Sequence, residues 1–145
     1  MADHNQNVVE EIKQTAIYNA PIHKVWEKVS TAEGIASWFM PPVDFQLEVG
    51  HEFTLQSPFG PSPCKVLEVE KPHLFSFSWD TDGWVVSFIL KEIGDQTEFT
   101  LIHGGWKNKE AIISKAKQTS SDVRDRMNQG WVDIVTIKLK KVVEA

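Results

Sequence analysis

The sequence has little of three things: cysteine, tyrosine and long apolar runs. Cys64 is the only cysteine among 145 residues, so the chain can form neither an internal disulfide nor a cysteine-based metal site. No apolar run approaches the roughly 20 residues that cross a bilayer. Residues 1–11 are polar and lack the apolar stretch of a signal peptide. We therefore expect a soluble, cytoplasmic protein with no membrane insertion.

Positive charge is also scarce. The 15 Lys and Arg residues against 20 Asp and Glu residues give a net charge of −5, a balance that argues against a nucleic-acid partner. A hydrophobic content of 41% and a charged content of 24% are ordinary globular values, which exclude a disordered chain or a coiled coil. The length fits one domain over residues 1–145, with residues 1–8 as a frayed terminus.

Aromatic residues, in contrast, are abundant: six Trp and eight Phe accompany the single Tyr. Large rings dominate the energetics of protein cores, so a well-filled core is one interpretation of this composition. The other is an apolar cavity that binds a ligand. Composition alone leaves both open.

Two short helices are predicted near the N-terminus. Apolar residues at helical spacing indicate a first helix from about Pro21, with Asn19 as its cap. The motif Ser30-Thr31-Ala32-Glu33 has the form of a capping box and predicts the start of a second helix. The two prolines at positions 41 and 42 end that helix.

Strands are predicted before and after these helices. Residues 9–18 form the first strand, and residues 45–103 alternate between turn signals as a six-stranded antiparallel meander. Four-residue hairpin loops would place these residues opposite one another: Trp79 and Trp84, Phe77 and Val86, Phe75 and Phe88, Leu90 and Phe99, Phe88 and Leu101, Val86 and His103. This register gathers the bulky residues onto one face. Leu67 and Val69 join that face if the preceding hairpin has a three-residue loop.

The C-terminal segment predicts a long amphipathic helix, capped by Ser120 or Ser121 and running to about Val143. A curved sheet with one apolar face needs a cover, and this helix is the one predicted element long enough. We therefore predict an α+β fold in which a curved antiparallel seven-stranded sheet wraps on the C-terminal helix.

These elements, with their motifs, resemble a known superfamily. The motifs are Ala20-Pro21-x-x-x-Val25-Trp26, Trp38-Phe39-Met40-Pro41, Phe77-Ser78-Trp79 and Gly130-Trp131. Over about residues 9–143 the chain resembles START-like (helix-grip, SRPBCC) proteins, in the bacterial branch related to the C-terminal domain of the activator of the ninety-kilodalton heat-shock protein's ATPase. The resemblance implies a hydrophobic cavity between sheet and long helix, and some relatives are cyclases or aromatases.

The predicted site lies on the apolar face and the helices that cover it. We term these residues the predicted binding set: Trp38, Phe39, Phe77, Trp79, Trp84, Val86, Phe88, Leu101, His103, Trp106, Met127, Trp131 and Val135. His103 would supply polarity to a ligand, or act as a general base. The alternative is a histidine satisfied by a backbone group at a strand end. Gly130, at a helix position where a larger residue would fit, suggests close approach or reserved space.

Other polar residues predict little chemistry. Asp80 and Asp82 are expected to shape a hairpin turn, and His23, His51 and His73 lack metal-ligand spacing, so we expect no metal. The stiff segment 57–64 is either a lid or a rigid hairpin connection. No nucleophile elbow, phosphate loop or dinucleotide fingerprint occurs, and no cofactor is expected.

Three functions remain open. The first is binding of a small, mostly apolar or aromatic molecule (a lipid, polyketide or flavonoid-like compound) between the sheet and the C-terminal helix. The second, implied by the resemblance, is a stress-response interaction protein with a chaperone as partner. The third is a cyclase or aromatase that uses His103 as its base.

Overall fold

The structure, a computed structural model, describes residues 9–57, 60–81, 83–106, 110–113 and 117–145. A strand, β1 (Ile12–Tyr18), precedes two short helices, α1 (Ile22–Ser30) and α2 (Ala32–Ala36). The meander follows as β2 (Pro42–Val43), β3 (Glu52–Ser57), β4 (Gly60–Glu70), β5 (Leu74–Trp79), β6 (Trp84–Ile93) and β7 (Gln96–Gly104). After a small antiparallel pair, β8 (Ile112–Ile113) and β9 (Gln118–Thr119), comes the C-terminal helix. It consists of α3 (Ser120–Asp133), a π-helical turn (Ile134–Lys138) and α4 (Leu139–Val143).

Within the described residues the strands β1 to β7 form a seven-stranded antiparallel sheet in the order β1-β7-β6-β5-β4-β3-β2. Burial alternates along the strands, so that in β7 the side chains of Thr97, Phe99, Leu101 and His103 are buried and their neighbours are not. The C-terminal helix covers this buried face. The predicted α+β helix-grip fold is therefore confirmed.

The predicted register of the last three strands is confirmed at every pair. Trp79 lies opposite Trp84 in the β5–β6 hairpin, and Val86 lies opposite His103 between β6 and β7. The remaining pairs are Phe77 with Val86, Phe75 with Phe88, Leu90 with Phe99, and Phe88 with Leu101. The β5–β6 hairpin has the predicted four-residue loop, but Ile93 pairs with Gln96, so the β6–β7 loop has two residues and not four. Both loop lengths give the same register.

The hairpin between β4 and β5 is only partly as predicted. Val69 pairs with Phe75 across a three-residue loop, as expected, but a β-bulge between Val66 and Glu68 interrupts the register. The bulge adds one residue to β4, so that Val66 and not Leu67 lies opposite Phe77. Val66 is buried and Leu67 is only half-buried. The prediction for Leu67 is wrong.

The helix starts differ from the prediction by one or two residues. Asn19 does not cap α1: Pro21 occupies the N-cap position, and no side chain makes a capping hydrogen bond there. Thr31, not Ser30, caps α2, because its hydroxyl accepts the Gly34 N–H at 3.0 Å. Ser30 ends α1 and donates to the Trp26 carbonyl. The C-terminal helix is likewise capped by Thr119 rather than by Ser120 or Ser121.

The second helix is also shorter than predicted. It ends at Ala36, where the Ser37 hydroxyl donates to the Gly34 carbonyl at 2.5 Å, so Trp38 and Phe39 lie in the turn that follows. Gly34 has no side chain to separate the helices, and a Cβ there would lie 2.5 Å from the Glu27 carbonyl oxygen of α1. The Trp38 indole donates to the Lys28 carbonyl at 2.7 Å, which fixes the ring over the sheet.

The only tyrosine of the sequence ties the C-terminal helix to the sheet. The Tyr18 hydroxyl, fully buried at the end of β1, donates to the Val135 carbonyl in the π-helical turn at 2.6 Å. Burial, together with the nearby Glu144 carboxylate, raises the pKa of Tyr18.

Among the described residues, no helix is both long enough and apolar enough to cross a membrane.

Candidate functional site: an aromatic interior

The predicted binding set lies between the sheet and its covering helices. Its members come from the turn after α2, from β5, β6 and β7, from the chain after β7, and from the C-terminal helix. All of them are buried except Phe39 and Met127, which are half-buried. The structure thus brings the set together, while its role in binding stays a prediction.

The rings of this interior pack on one another, mostly edge to face. On the sheet, Phe88 contacts Phe77 and Phe75 with centroids 5.8 Å apart. Further out, Phe53 of β3 and Phe45 of the loop before it continue the ring network. The alternating pattern of β3 could have revealed Phe53, whereas Phe45 lies in an irregular segment without a periodic signal.

One ring has a different environment. Phe39 lies between two indoles, 5.4 Å from Trp38 and 5.2 Å from Trp131, with interplanar angles of 20° and 29°. Both neighbours are buried, but Phe39 itself reaches solvent. The ring also contacts Trp79 edge to face at 5.7 Å. The turn after α2 and the C-terminal helix therefore meet through a half-exposed ring that stacks with an indole from each.

His103 is fully buried and contacts Trp79 and Trp131, two indoles that also contact Phe39. The Trp131 indole N–H donates to His103 Nδ1 at 3.0 Å, and the Trp106 indole donates to the His103 carbonyl at 2.8 Å. Since the indole can only donate, the ring proton of a neutral His103 resides on Nε2. Burial lowers the pKa of His103 from 6.5 to about 3. An imidazole whose only lone pair is already engaged is a poor general base, which disfavours the enzyme hypothesis.

Two glycines explain how the chain brings rings around His103. Gly105 has φ 81°, and a Cβ at this position would lie 2.1 Å from the Gly83 carbonyl oxygen. Only glycine allows the chain after β7 to approach the β5–β6 turn so closely. This approach places Trp84 4.9 Å from Trp106.

Several buried polar atoms near His103 have no hydrogen-bond partner among the described residues. They are the indole nitrogens of Trp79 and Trp84 and the Nε2 of His103. The three rings contact one another, with centroid distances of 5.4 Å between Trp79 and Trp84, 5.4 Å between Trp79 and His103, and 4.9 Å between Trp84 and His103. We refer to Trp79, Trp84 and His103 as the donor cluster.

The predicted binding set does not line the surface cavities of about 460, 510 and 640 Å³ found on the described chain. One of these cavities adjoins Asp44 and Glu52, and the others adjoin Lys28. The rings of the aromatic interior instead pack on one another. Gly130 does not change this, because it is exposed, and a Cβ at its position would have no atom within 4 Å. The expectation of close approach or reserved interior space at Gly130 is wrong.

The remaining candidates have structural partners. Asp80, with φ 64°, accepts the Thr81 N–H and the Ser62 hydroxyl, as a turn residue does; Asp82 lies outside the described residues. His51 bonds the Asp44 carbonyl and His73 the Leu90 carbonyl, and His23 is exposed. No group of three or more potential metal ligands occurs in the described part of the chain.

The segment 57–64 belongs mainly to a hairpin. Ser57 pairs with Gly60, and its hydroxyl donates to the Gly60 carbonyl at 2.7 Å. Residues 60–64 are the first part of β4 and pair with β3, and residues 58 and 59 lie outside the described residues. The structure thus favours the rigid connection over a lid.

Comparisons with known proteins agree with this architecture. The family model described as "Activator of Hsp90 ATPase homolog 1-like protein" matches residues 19–144. The solution structure of Bacillus halodurans protein BH1534 is 51% identical, with a TM-score of 0.88 over 95% of this chain and 99% of that one. No curated protein matches the sequence.

More distant structures share the fold alone. The Aha1 dimer from Colwellia psychrerythraea is 18% identical, with a TM-score of 0.76 over 94% of this chain and 97% of that one. CalU16 from Micromonospora echinospora is 24% identical, with a TM-score of 0.65 over 92% and 80% of the two chains.

Proposed function

The chain belongs to the activator of Hsp90 ATPase homolog 1-like family, and from this premise we propose that it binds a small, mostly apolar or aromatic molecule between its sheet and its C-terminal helix. A lipid, a polyketide or a flavonoid-like compound is the class of ligand that this interior suits. Ligand sites of this kind are largely apolar with a few polar groups, which describes the predicted binding set.

The observation that carries this proposal is the position of Phe39. Its ring is stacked between Trp38 and Trp131 and reaches solvent on one side. A planar ring of a ligand would make the same two stacking contacts if the Phe39 side chain rotated outward. We refer to the space next to Trp38 and Trp131 that the Phe39 ring occupies as the slot, and to Phe39 as its plug. The slot fits one aromatic ring.

The displacement of Phe39 lowers the affinity that we expect for a ligand. A ligand that takes the place of the Phe39 ring exposes that ring to water, and the cost of this exposure reduces the net binding free energy. We expect wild-type affinity to be modest, and removal of the plug to increase it.

An NMR titration with lipids and flavonoid-like compounds tests the proposal. Phe39→Ala should bind planar aromatic compounds about tenfold more tightly than wild type, because the slot is vacant. Phe45→Ala is the matched control: Phe45 is also half-buried, but it packs on Phe53 and Phe75, away from the slot. Its affinity should equal that of wild type.

The signals to follow are the amide and indole resonances of Trp38, Trp79, Trp131 and His103. If these resonances do not move for any compound in either wild type or Phe39→Ala, the chain does not bind ligands in this interior. Tighter binding by Phe45→Ala and Phe39→Ala alike would argue for non-specific loosening.

The second candidate function is interaction with a chaperone, and the name of the matching family model favours it. Exposed isoleucines such as Ile17 and Ile93 provide apolar surface for such a partner. Gel filtration with the purified bacterial ninety-kilodalton chaperone tests it, and a stoichiometric complex that Ile17→Lys weakens would support this role.

A further inference from the structure

Within the described part of the chain, the donor cluster is an exception to the rule that buried polar groups are paired. The great majority of buried donors in proteins have a partner, and a donor left without one destabilises the fold. Here three such groups, the N–H of Trp79, Trp84 and His103, lie on rings in mutual contact. Packing alone does not require the indole N–H groups of Trp79 and Trp84.

The donor cluster offers hydrogen-bond donors and no free acceptor. An indole nitrogen donates and cannot accept. His103 could accept through Nδ1, but Trp131 already occupies that atom, so Nε2 offers a proton like its neighbours. The cluster therefore presents donors without acceptors, and its natural complement is an oxygen atom that accepts hydrogen bonds.

The surroundings indicate that this oxygen is uncharged. The aromatic rings packed around the cluster are those of Phe39, Trp106 and Trp131. These uncharged neighbours do not repay the cost of burying an anion. A ketone, ester or amide carbonyl accepts hydrogen bonds without that cost.

We propose that the donor cluster binds the carbonyl oxygen of an uncharged, otherwise apolar ligand. The inference rests on the proposed function and narrows it: of the apolar molecules that could enter the interior, the chain selects those with a carbonyl group that reaches His103. The aromatic rings supply the affinity, and the cluster supplies the orientation and the selectivity.

Two probes separate these contributions. 2-Acetylnaphthalene and 2-ethylnaphthalene have the same ring system and nearly the same size, but only the first carries a carbonyl oxygen. We expect the acetyl compound to bind about tenfold more tightly, as a hydrogen bond made to buried, otherwise unpaired donors allows. The anion 2-naphthoate should bind more weakly than the acetyl compound.

The wild-type chain contains its own spectroscopic controls. The indole N–H resonances of Trp79 and Trp84 should move downfield with 2-acetylnaphthalene and not with 2-ethylnaphthalene. The indoles of Trp38, Trp106 and Trp131 already donate to protein acceptors, so their resonances should show no such difference between the probes. This measurement requires no variant that could fail to fold.

A pair of variants completes the test. Trp84→Phe removes one donor and should reduce the preference for the acetyl compound while it retains binding of the ethyl compound. Trp38→Phe removes an indole whose N–H is already bonded to Lys28, and should change the affinity for both probes by the same factor.

The outcomes distinguish the two proposals. Equal affinity for both probes, without selective indole shifts, would refute the carbonyl site and leave ligand binding intact. Stronger binding of 2-naphthoate would replace the carbonyl with an anion and also overturn the inference. If neither probe moves any interior resonance in wild type or in Phe39→Ala, the proposed function fails as well.

Discussion

Strand β7 connects two ends of the interior that differ in how they treat buried polar groups. At its beginning, the Thr97 hydroxyl donates to the Ala20 carbonyl at 2.8 Å, and the adjacent Tyr18 hydroxyl donates to Val135. At its other end, His103 is surrounded by indoles, and the donors of Trp79 and Trp84 have no partner among the described residues. The first end, which we call the closed end, is complete in itself. At the second, which we call the donor end, the proposed carbonyl oxygen would be the acceptor for these donors.

The two ends of the sheet differ in their contribution to stability. Paired polar groups at the closed end fix the helix to β1 and specify the fold. Unpaired donors at the donor end reduce stability, as groups kept for function commonly do. Mutations at the two ends should therefore differ in their effects on stability and on binding.

The largest effect is expected from truncating the closed end. Phe99 is fully buried against Tyr18 and Phe88, so Phe99→Ala should lower the free energy of unfolding by about 4 kcal/mol through lost burial and a cavity. Phe39→Ala, at a half-exposed ring, should cost less than half of this. Urea denaturation of both variants measures the comparison, and equal losses would contradict it.

A smaller effect is expected from acidification, which acts on the donor end. Because burial lowers the pKa of His103 from 6.5 to about 3, the unfolded chain binds more protons than the folded chain between these values. The contribution of His103 is fully present above pH 6.5 and is lost as the pH falls, by about 3 kcal/mol between pH 6.5 and 4.

The control for this pH dependence is the same denaturation series on two variants. His103→Asn removes the titrating group and should flatten the slope of stability against pH. His23→Gln, at an exposed position of α1, should leave the slope unchanged. A His103→Asn protein that loses stability with acid as steeply as wild type would show that other groups cause the dependence.

The smallest of the three effects concerns one hydrogen bond at the closed end. Tyr18→Phe removes the hydroxyl and leaves the buried Val135 carbonyl without that donor, at a cost of about 2 kcal/mol. Thr136→Val removes an exposed hydroxyl that donates to the Val132 carbonyl, and should change stability by less than about 0.5 kcal/mol. Thermal unfolding compares them; similar losses would mean that burial does not distinguish these bonds.

Much of the fold is predictable because turn signals and alternation fix the parity of a strand. That parity alone places Phe77, Phe88 and His103 on one face, as the sheet has them. Leu67 is misplaced because a bulge has no marker in this sequence, and this bulge shifts by one position the β4 residues that precede it. The caps differ because Ser and Thr neighbours compete for the same role.

The site is predictable as a set of residues but not as an arrangement. The pattern brings the aromatic rings together, yet the stack around Phe39 depends on where α2 ends. The helical spacing of Trp38 and Phe39 does not reveal the turn that begins at Ser37. The bond between Trp131 and His103 joins residues that are 28 positions apart. Such a contact follows from tertiary packing, and the sequence around either residue carries no signal for it.

The π-helical turn determines the phase of the C-terminal helix. The buried apolar residues of this helix follow one another at multiples of four positions: Val123, Trp131, Val135, Leu139 and Val143. In a regular α-helix each step of four overshoots a full turn by about 40°, so such a stripe would wind away from the sheet. The wider π turn recovers part of this angle in the middle, and keeps both halves of the helix facing the same surface. The direction in which α4 faces thus depends on the one extra residue in the π-helical turn.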